Sequence, residues 1–400
     1  MPGSRPPVDL AVVGGGFAGL ACARSAAMLG LSVVVIDAKP EPGAKVRTTG
    51  ILVREVIEDL DLPARLMRRV RGVRLYGDGP KPLELWAPGY YFAATDTAGL
   101  VRWLAGEARR AGAELWQSSR LVGLTETPSH VSLEMVSQGE RVGLDARLVV
   151  GADGARSAVA RLAGLGRNRH WLTGLELEFP AAAGEGADPI DRRFLHCLLS
   201  AEFARGYIGW VVPGVGVTQV GVAAAQPARP DLAGFLSHLA GRLGLDPEML
   251  APDRAIERRA GRIPAGGRVG PIGTSRVVLT GDAAGLVSPL TGGGIRLALA
   301  SGRQAALAAA DHLIEGGPSP TAQLVRTYPK LAGGRLWLRR LIERPLVVRT
   351  LARSLETPLV RAAARRIFFH RSRIWPLADG ATAQPPGAAA ERTGEQPAPR

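Results

Sequence analysis

The stretch from Val8 to Asp37, VDLAVVGGGFAGLACARSAAMLGLSVVVID, constrains the fold of this chain more than any other. An apolar run, Val8 to Val13, leads straight into Gly14-Gly15-Gly16-Phe17-Ala18-Gly19. A helical pattern follows through Leu20, Ala23, Ala27 and Met28, and a second β-branched run, Val33 to Ile36, ends on Asp37. Strand, glycine turn, helix, strand and an acid about 20 residues beyond the glycines form a dinucleotide-binding βαβ pattern. Gly14 permits the tight turn, Gly16 lets the backbone approach a pyrophosphate, and Gly19 lets helix and strand pack closely. The helix N-terminus offers unpaired N–H groups and a positive dipole end to the phosphates. Asp37 is placed to accept hydrogen bonds from an adenosine ribose. The motif implies a bound dinucleotide without separating FAD from NAD(P).

The chain has 400 residues, enough for two or three packed units, and its 46% apolar content is that of an ordinary globular protein. No run of about 18 uncharged apolar residues occurs, so no membrane-spanning helix is expected. The opening MPGSRPP lacks the apolar core of a signal peptide. Two cysteines, Cys22 and Cys197, give neither a disulfide framework nor metal-ligand spacing, which points to the cytoplasm and to no metal site. The net charge of +14 is carried mainly by arginine. Such a balance suits nucleic acid, an anionic membrane surface or an acidic protein partner. No nucleic-acid-binding motif with interleaved aromatics is present, so nucleic acid is not expected.

Along the chain, a helix is expected from Ile51 to about Leu60, strands near Val73–Tyr76 and Leu83–Trp86, and an amphipathic helix over Thr97–Ala111. Short strands follow at 114–117, 121–125, 131–136 and 144–150, and they read as a meander appended to a parallel sheet. Leu148–Arg161 repeats the strand, glycine turn and helix order around Asp153-Gly154. From Trp171 to Ala225 strands dominate and suggest an antiparallel sheet. A helix follows at Asp231–Leu243, then a short strand at Val277–Leu279 and a long helix from about Gly294 to Ile314. Everything from Thr321 onward reads as helical, and Leu336–Phe369 mixes apolar residues with many arginines. The last segment, rich in Ala, Pro, Gly and Glu, is expected to be disordered.

The third glycine turn, GDAAGLVSPLTGGGI, is the most specific feature. Asp282, just past the strand, is placed to bind a ribityl hydroxyl. Pro289 and Leu290 precede Thr291-Gly292-Gly293-Gly294, and the helix opening there can stabilise the negative N1–C2=O locus of a reduced flavin. With these turns the chain resembles the geranylgeranyl reductase family of FAD-dependent oxidoreductases, which has the fold of the aromatic hydroxylases, over roughly Val8 to Leu313. The resemblance implies an α/β fold: a Rossmann-type FAD-binding domain, an interleaved antiparallel-sheet substrate domain and a helical C-terminal region. The corresponding boundaries are 1–70, 96–165 and 262–320 for the FAD domain, 71–95 and 166–261 for the substrate domain, 321–376 for the helical region and 377–400 for the tail. It implies FAD held by Gly14, Gly16, Phe17, Ala18, Gly19, Asp37, Ala38, Lys45, Arg47, Asp153, Gly281, Asp282, Pro289, Gly292, Gly293, Gly294 and Ile295.

Those motifs are shared with the hydroxylases. The reductase reading rests on Tyr207–Pro213, YIGWVVP, which is similar to the family's Tyr-x-Trp-x-Phe-Pro signature. Trp210 and Pro213 match, Val212 stands for Phe, and Tyr207 is one residue too far from Trp210. In a strand that odd spacing puts the two side chains on opposite faces unless a bulge intervenes. The family's Cys-Gly pair is replaced by Thr49-Gly50. The Arg and Asp that the family and hydroxylases place at the start of the helix near residue 97 are Thr97 and Val101, so one FAD-phosphate contact is either lost or supplied instead by Arg47 or Arg102. Reduced flavin would supply a hydride to a carbon–carbon double bond of a prenyl lipid. Trp86, Tyr90, Tyr91, Phe92, Trp210 and Val212 are candidates for the wall of the lipid site, with Tyr207, Trp210 and Tyr91 put forward as substrate-binding. Tyr207 and His196 are conceivable proton donors, and no catalytic residue is named. The electron donor is NAD(P)H or an acidic ferredoxin or flavodoxin, and the basic C-terminal helices suit peripheral contact with a membrane. The alternatives are an FAD monooxygenase acting on an aromatic or polyketide and a non-catalytic flavin- and lipid-binding protein.

Overall fold

The computed structural model describes residues 6–181 and 190–369. The tail expected at 377–400, and the last residues of the helical region, lie outside the described residues. In the parallel sheet Val8–Val13 lies between Val33–Ile36 and Glu140–Gly151, with Glu114–Trp116 and Val277–Leu279 extending it, all in parallel. The same long strand Glu140–Gly151 pairs in its first half with Val131–Ser137, which pairs with Ser119–Glu126. The expected meander is therefore the continuation of a parallel strand. Helices Phe17–Met28, Thr97–Arg110 and Ile295–Ile314 pack together through a core of leucine, valine and alanine. The Thr97–Arg110 helix forms for local reasons. Asp96 accepts the Gly99 N–H at 2.9 Å, Leu100, Leu104 and Ala108 share the buried face, and Arg109 and Arg110 sit at the negative end.

The expected helix from Ile51 is corrected by the structure. Ile51–Val53 is a strand, paired antiparallel with Phe92–Ala94, and the helix starts only at Arg54. Ile51 and Val53 are β-branched, and a strand partner offers their backbone bonds that a first helical turn could not. Met67–Val70 completes this small sheet.

The second seven-stranded sheet runs in the order Glu257–Pro264, Trp171–Pro180, Val217–Ala225, Ile208–Pro213, Phe194–Leu199, Gly72–Tyr76, Leu83–Trp86. All neighbours are antiparallel except Phe194–Leu199 with Gly72–Tyr76. One face carries Leu177, Phe179, Leu198, Val211, Val220 and Val222 against Phe235, Leu236 and Leu239 of helix Leu232–Leu243. On the other face a single register row crosses the whole sheet: Arg259, Glu176, Gly221, Trp210, Cys197, Leu75 and Leu83. That row is polar at one edge and apolar at the other. Its apolar part is covered by Leu355 and Ala364 of the C-terminal segment, with Phe368 and Phe369 packed alongside.

Four short helices end the described chain: Pro320–Thr327, Gly334–Ile342, Pro345–Arg353 and Pro358–Phe368. Arg339 ties them to the sheet. It is 2% exposed, donates to the Gly206 carbonyl and to Glu343, and lies 5.9 Å from the Tyr207 ring centroid. Removing its charge-assisted hydrogen bonds by Arg339→Met should cost about 1–3 kcal/mol, read as a lower urea midpoint. An unchanged midpoint would mean that the helices are held without it.

Candidate functional site

The three glycine turns meet at the carboxyl edge of the parallel sheet. A Cβ on Gly19 would overlap the Gly14 carbonyl oxygen, and one on Gly14, whose φ is +108°, would overlap the Ala152 carbonyl. The first turn is thereby clamped between its own helix and the second turn, whose Ala152 N–H donates to the Val13 carbonyl at 2.7 Å. A Cβ on Gly281 would lie 2.8 Å from that of Ala18, so the third turn closes on the first. Gly294 completes the ring of turns, since its Cβ position is 3.2 Å from Asp282 Oδ1. Ala18, Gly14, Gly19, Gly281, Asp282 and Gly294 are thus brought together, with Phe17 opening the first helix and Ile295 the long one.

Other expected site residues fall around this cluster. Asp37 currently holds the turn itself, accepting from Gly15 N–H at 2.6 Å and from Lys39 N–H at 2.8 Å. Ala38, Lys45 and Arg47 are exposed on the loop that follows. One Asp153 oxygen accepts the Ala158 and Val159 N–H groups at the start of helix Ala158–Leu162, whose cap is Ser157. Its other oxygen is buried without a donor, and burial raises its pKa. Pro289 is buried, and the Ser288 N–H donates to the Gly293 carbonyl across the turn it begins.

The residues present fit an FAD. The Gly16 Cβ position has no protein atom within 4 Å, so the space a pyrophosphate needs is open. Among the described residues no donor pairs the Asp282 carboxylate, and burial pushes it up to about 6. A hydroxyl-rich chain would supply the missing donors. Neither helix N-terminus, at Gly16 or at Gly294, is capped by a side chain, so both leave N–H groups free. Asn168, which the sequence did not single out, donates to the Asp282 carbonyl at 2.8 Å and to the Ala155 carbonyl at 3.0 Å, joining the second turn to the third.

The second seven-stranded sheet meets this cluster through Tyr207. Its hydroxyl donates to the Thr291 carbonyl at 2.5 Å, and it fills the space a side chain on Gly292, at φ +62°, would need. The parity expectation is corrected here. Tyr207 precedes the strand, in a turn after Gly206 at φ +74°, so strand alternation does not govern it. Its ring lies edge-on to Trp210 with centroids 6.5 Å apart. Tyr91 is also corrected. It packs on the core of the FAD-side unit under Arg69, 4.6 Å from its ring centroid, while neighbouring Tyr90 and Phe92 turn to the Trp210 side. Trp86 points outward and is 51% exposed, because Leu83 and Leu85 take the inner positions of that strand. His196 is a core residue with Nδ1 paired to Tyr76 and Nε2 to the Asp191 carbonyl.

The largest feature the sequence did not reveal is a buried ionic cluster beside Trp210. The Trp210 indole N–H donates to Glu176 Oε2 at 2.8 Å, and Thr49 Oγ1 donates to the same oxygen at 2.5 Å. Arg259 donates to Glu176 Oε1 at 3.2 Å, lies 2.6 Å from Glu178 and 2.9 Å from Glu257, and reaches the Thr48 carbonyl at 3.2 Å. Gln219 donates to Glu178 at 2.7 Å. Gly221 makes this possible, since any Cβ there would strike the Trp210 ring. Thr49 stands where the family's cysteine was expected. Neither Cys22 nor Cys197 replaces it, as burial pushes both thiols up to about 12.

Residues 7–320 match the family described as an FAD binding domain, and with the three convergent turns they define an FAD-dependent oxidoreductase. A digeranylgeranylglycerophospholipid reductase of Thermoplasma acidophilum is 30% identical over 344 residues, covering 81% of this chain and 82% of that one. A menaquinone reductase of Mycolicibacterium smegmatis is 33% identical over 314 residues, covering 74% and 75%. The chain belongs to the geranylgeranyl reductase family. In fold it is similar to a geranylgeranyl bacteriochlorophyll reductase-like protein of Thermoplasma acidophilum, with TM-score 0.75, 24% identity and coverage of 91% and 96%. It is also similar to an aklavinone-11 hydroxylase solved with FAD and aklavinone, with TM-score 0.64, 19% identity and coverage of 92% and 71%.

The raised Asp282 gives a pH-dependent prediction. Its carboxyl binds its proton more tightly folded than unfolded, so stability falls as pH rises from about 4 to about 6, by at most about 3 kcal/mol. In apoprotein, Asp282→Asn should raise the melting temperature above wild type at pH 8 and match it at acidic pH. In the same variant FAD should bind roughly 10- to 100-fold more weakly, for the loss of hydrogen bonds to a charged acceptor. An unaltered FAD affinity would remove Asp282 from the cofactor site.

Proposed function

We propose that this protein reduces carbon–carbon double bonds of a prenyl lipid. The observation that carries the reading is the continuous apolar row from Tyr207 and Trp210 at the Gly292 turn to Cys197, Leu75 and Leu83, roofed by the C-terminal helices. An apolar wall of aromatic and branched aliphatic side chains suits an isoprenoid chain, and the named reductase relatives support that class. FAD, when bound and reduced, supplies a hydride. Gly14, Gly16, Gly19 and the first helix would hold its pyrophosphate, Asp37 its adenosine ribose and Asp282 its ribityl chain. Gly292 to Gly294 and Ile295 would face its ring. Tyr207 orients the Gly292 turn by its bond to Thr291, and the C-terminal helices keep water from the apolar row.

The electron donor we favour is a small acidic redox protein, ferredoxin or flavodoxin, because the chain carries a net charge of +14. NAD(P)H is the other outcome of the same assay. The second reading, a monooxygenase, is favoured by the aklavinone-11 hydroxylase likeness. Incubating holoenzyme with prenyl lipids and reductant should give products heavier by two hydrogens per bond, formed without oxygen. Products heavier by one oxygen, formed only in air, would overturn the reductase reading.

We also place the C-terminal helices at the cytoplasmic face of an anionic membrane. Among the described residues no helix is long and apolar enough to cross a bilayer. The helices instead expose Trp337 at 66%, Leu346 at 75% and Leu359 at 82%, among exposed Arg340, Arg344, Arg349 and Arg361. Apolar insertion and basic attraction, worth about 1 kcal/mol per arginine near the surface, act together there. Leu346→Ser with Leu359→Ser should abolish co-flotation with phosphatidylglycerol vesicles and leave reduction of detergent-dispersed substrate intact. Equal flotation of variant and wild type would reject the docking face.

A further inference from the structure

The cluster beside Trp210 contains three carboxylates, Glu176, Glu178 and Glu257, and one guanidinium, Arg259. Glu176, Glu178 and Arg259 are buried, and Glu257 reaches the half-exposed edge strand. Two desolvated carboxylates sharing one buried cation cannot both ionise cheaply, so the cluster tends to retain a proton. Burial raises both Glu176 and Glu178. Burial acts the same way on Glu257, but the hydrogen bond and charge of Arg259, with a hydrogen bond from Glu178, together outweigh it and leave Glu257 lowered. The other groups facing Glu176 are neutral: Thr49 from the FAD-side loop and Trp210 from the sheet. Thr49 is half-buried and shares Glu176 Oε2 with the Trp210 indole; with Glu176 protonated, the 2.5 Å contact runs from Glu176 to Thr49 Oγ1 and leaves the Thr49 proton free. Its backbone is fixed, since the Thr97 hydroxyl donates to the Thr49 carbonyl at 3.2 Å and the Thr95 hydroxyl to the Gly50 carbonyl at 2.8 Å.

We propose that Glu176 stores the proton of the reduction and that the Thr49 hydroxyl delivers it. The step rests on the double-bond-reductase reading. As the π bond breaks, one alkene carbon takes the hydride, with its electron pair. The adjacent carbon forms its new C–H bond with the proton of Thr49 Oγ1, and Thr49 recovers a proton from Glu176. The Glu176 carboxylate that remains is held by Arg259 and Trp210 and, once product has left, regains its proton from water through the Thr49 hydroxyl. Two electrons and one proton in addition to the hydride nucleus are accounted for, and Thr49 is unchanged. Thr49 is the group that touches the substrate; Glu176 acts through it.

The test uses FAD-loaded enzyme reduced with dithionite and mixed with geranylgeranyl diphosphate as probe. Thr49→Val should slow double-bond reduction at least about 100-fold, while Thr49→Ser stays within roughly threefold of wild type. Wild type should slow as the pH rises and Glu176 loses its proton; Glu176→Gln should be similarly slow at all pH and lose that alkaline fall. Independently of turnover, infrared spectra of the apoprotein should show a protonated-carboxylic-acid C=O band that shifts in D2O and is absent from Glu176→Gln. FAD affinity should be unchanged in Thr49→Val. If wild type reduces the probe and Thr49→Val keeps its rate, the relay is wrong. The same follows if the infrared band is missing from wild type, or if Thr49→Ser fails as Thr49→Val does. If wild type reduces no prenyl double bond while the infrared band is present, the substrate reading fails and the stored proton stands.

Discussion

The closeness with which the first helix passes its own strand governs the rest of the molecule. Gly19 lies where any side chain would meet the Gly14 carbonyl, and Gly14 in turn lies against Ala152. Only with those two positions bare can the strand Val8–Val13, the strand ending at Gly151 and the strand ending at Leu279 deliver their turns to one point. Two helices then aim their N-termini at the same space, with Ala18 serving as the contact between them and Gly281. The core beneath is built from valine, leucine and alanine with few polar atoms, so the exposed N–H groups and the unpaired Asp282 are concentrated at this edge. That concentration costs stability in the empty protein and is offset when a ligand rich in oxygen atoms arrives.

The second seven-stranded sheet solves a different problem. Both of its faces are covered, one by helix Leu232–Leu243 and the other by the FAD-side loop and the C-terminal helices. Glutamates on such a strand cannot reach water, and register supplies the remedy by placing Arg259 directly opposite Glu176. Gly221 then allows the Trp210 ring to lie across the intervening strand and donate to the same carboxylate. The Thr48 carbonyl and Thr49 hydroxyl close the circuit from the other unit. A buried ion pair is weak evidence for stability, because desolvation consumes most of its attraction. Its consequence here is positional: the loop that follows Asp37 is fixed to the sheet at the polar end of the row that carries Trp210.

Local pattern made part of this legible. The βαβ unit, the Asp282 turn and the long helix were readable because glycine spacing, apolar runs and caps act within a few residues of each other. What depended on distant partners was not. Ile51 to Val53 looked helical until Phe92–Ala94 provided a strand partner. Tyr207 was assigned a face by strand parity, yet it sits one residue before the strand, in a turn set by Gly206. Tyr91 and Trp86 went to the wrong side for want of the register of their strands. The alternation Leu175-Glu176-Leu177-Glu178-Phe179 reads as one wet and one dry face, and nothing local announces that both are dry. Arg259 is one of three arginines in Glu257–Pro264, with Arg258 and Arg262, and nothing local marks it as the buried one without the sheet order.

The same cofactor architecture hosts reductases and a hydroxylase, so the discriminating physics must lie outside the glycine turns. Oxygenation and double-bond reduction send the proton to different atoms, the first to oxygen and the second to substrate carbon. A reductase must bring one proton to carbon in an apolar space without admitting bulk water, which would compete for every donor there. The face that carries Trp210 has this division built in: Cys197, Leu75 and Leu83 occupy one end of a register row, and Glu176 and Arg259 the other. Trp210 stands between them, apolar on its ring and polar only at its N–H, which points to the ionic end. The seam between dry wall and proton-holding cluster therefore coincides with the side chain that also meets Tyr207, and Tyr207 is bound to the turn of the proposed flavin ring site.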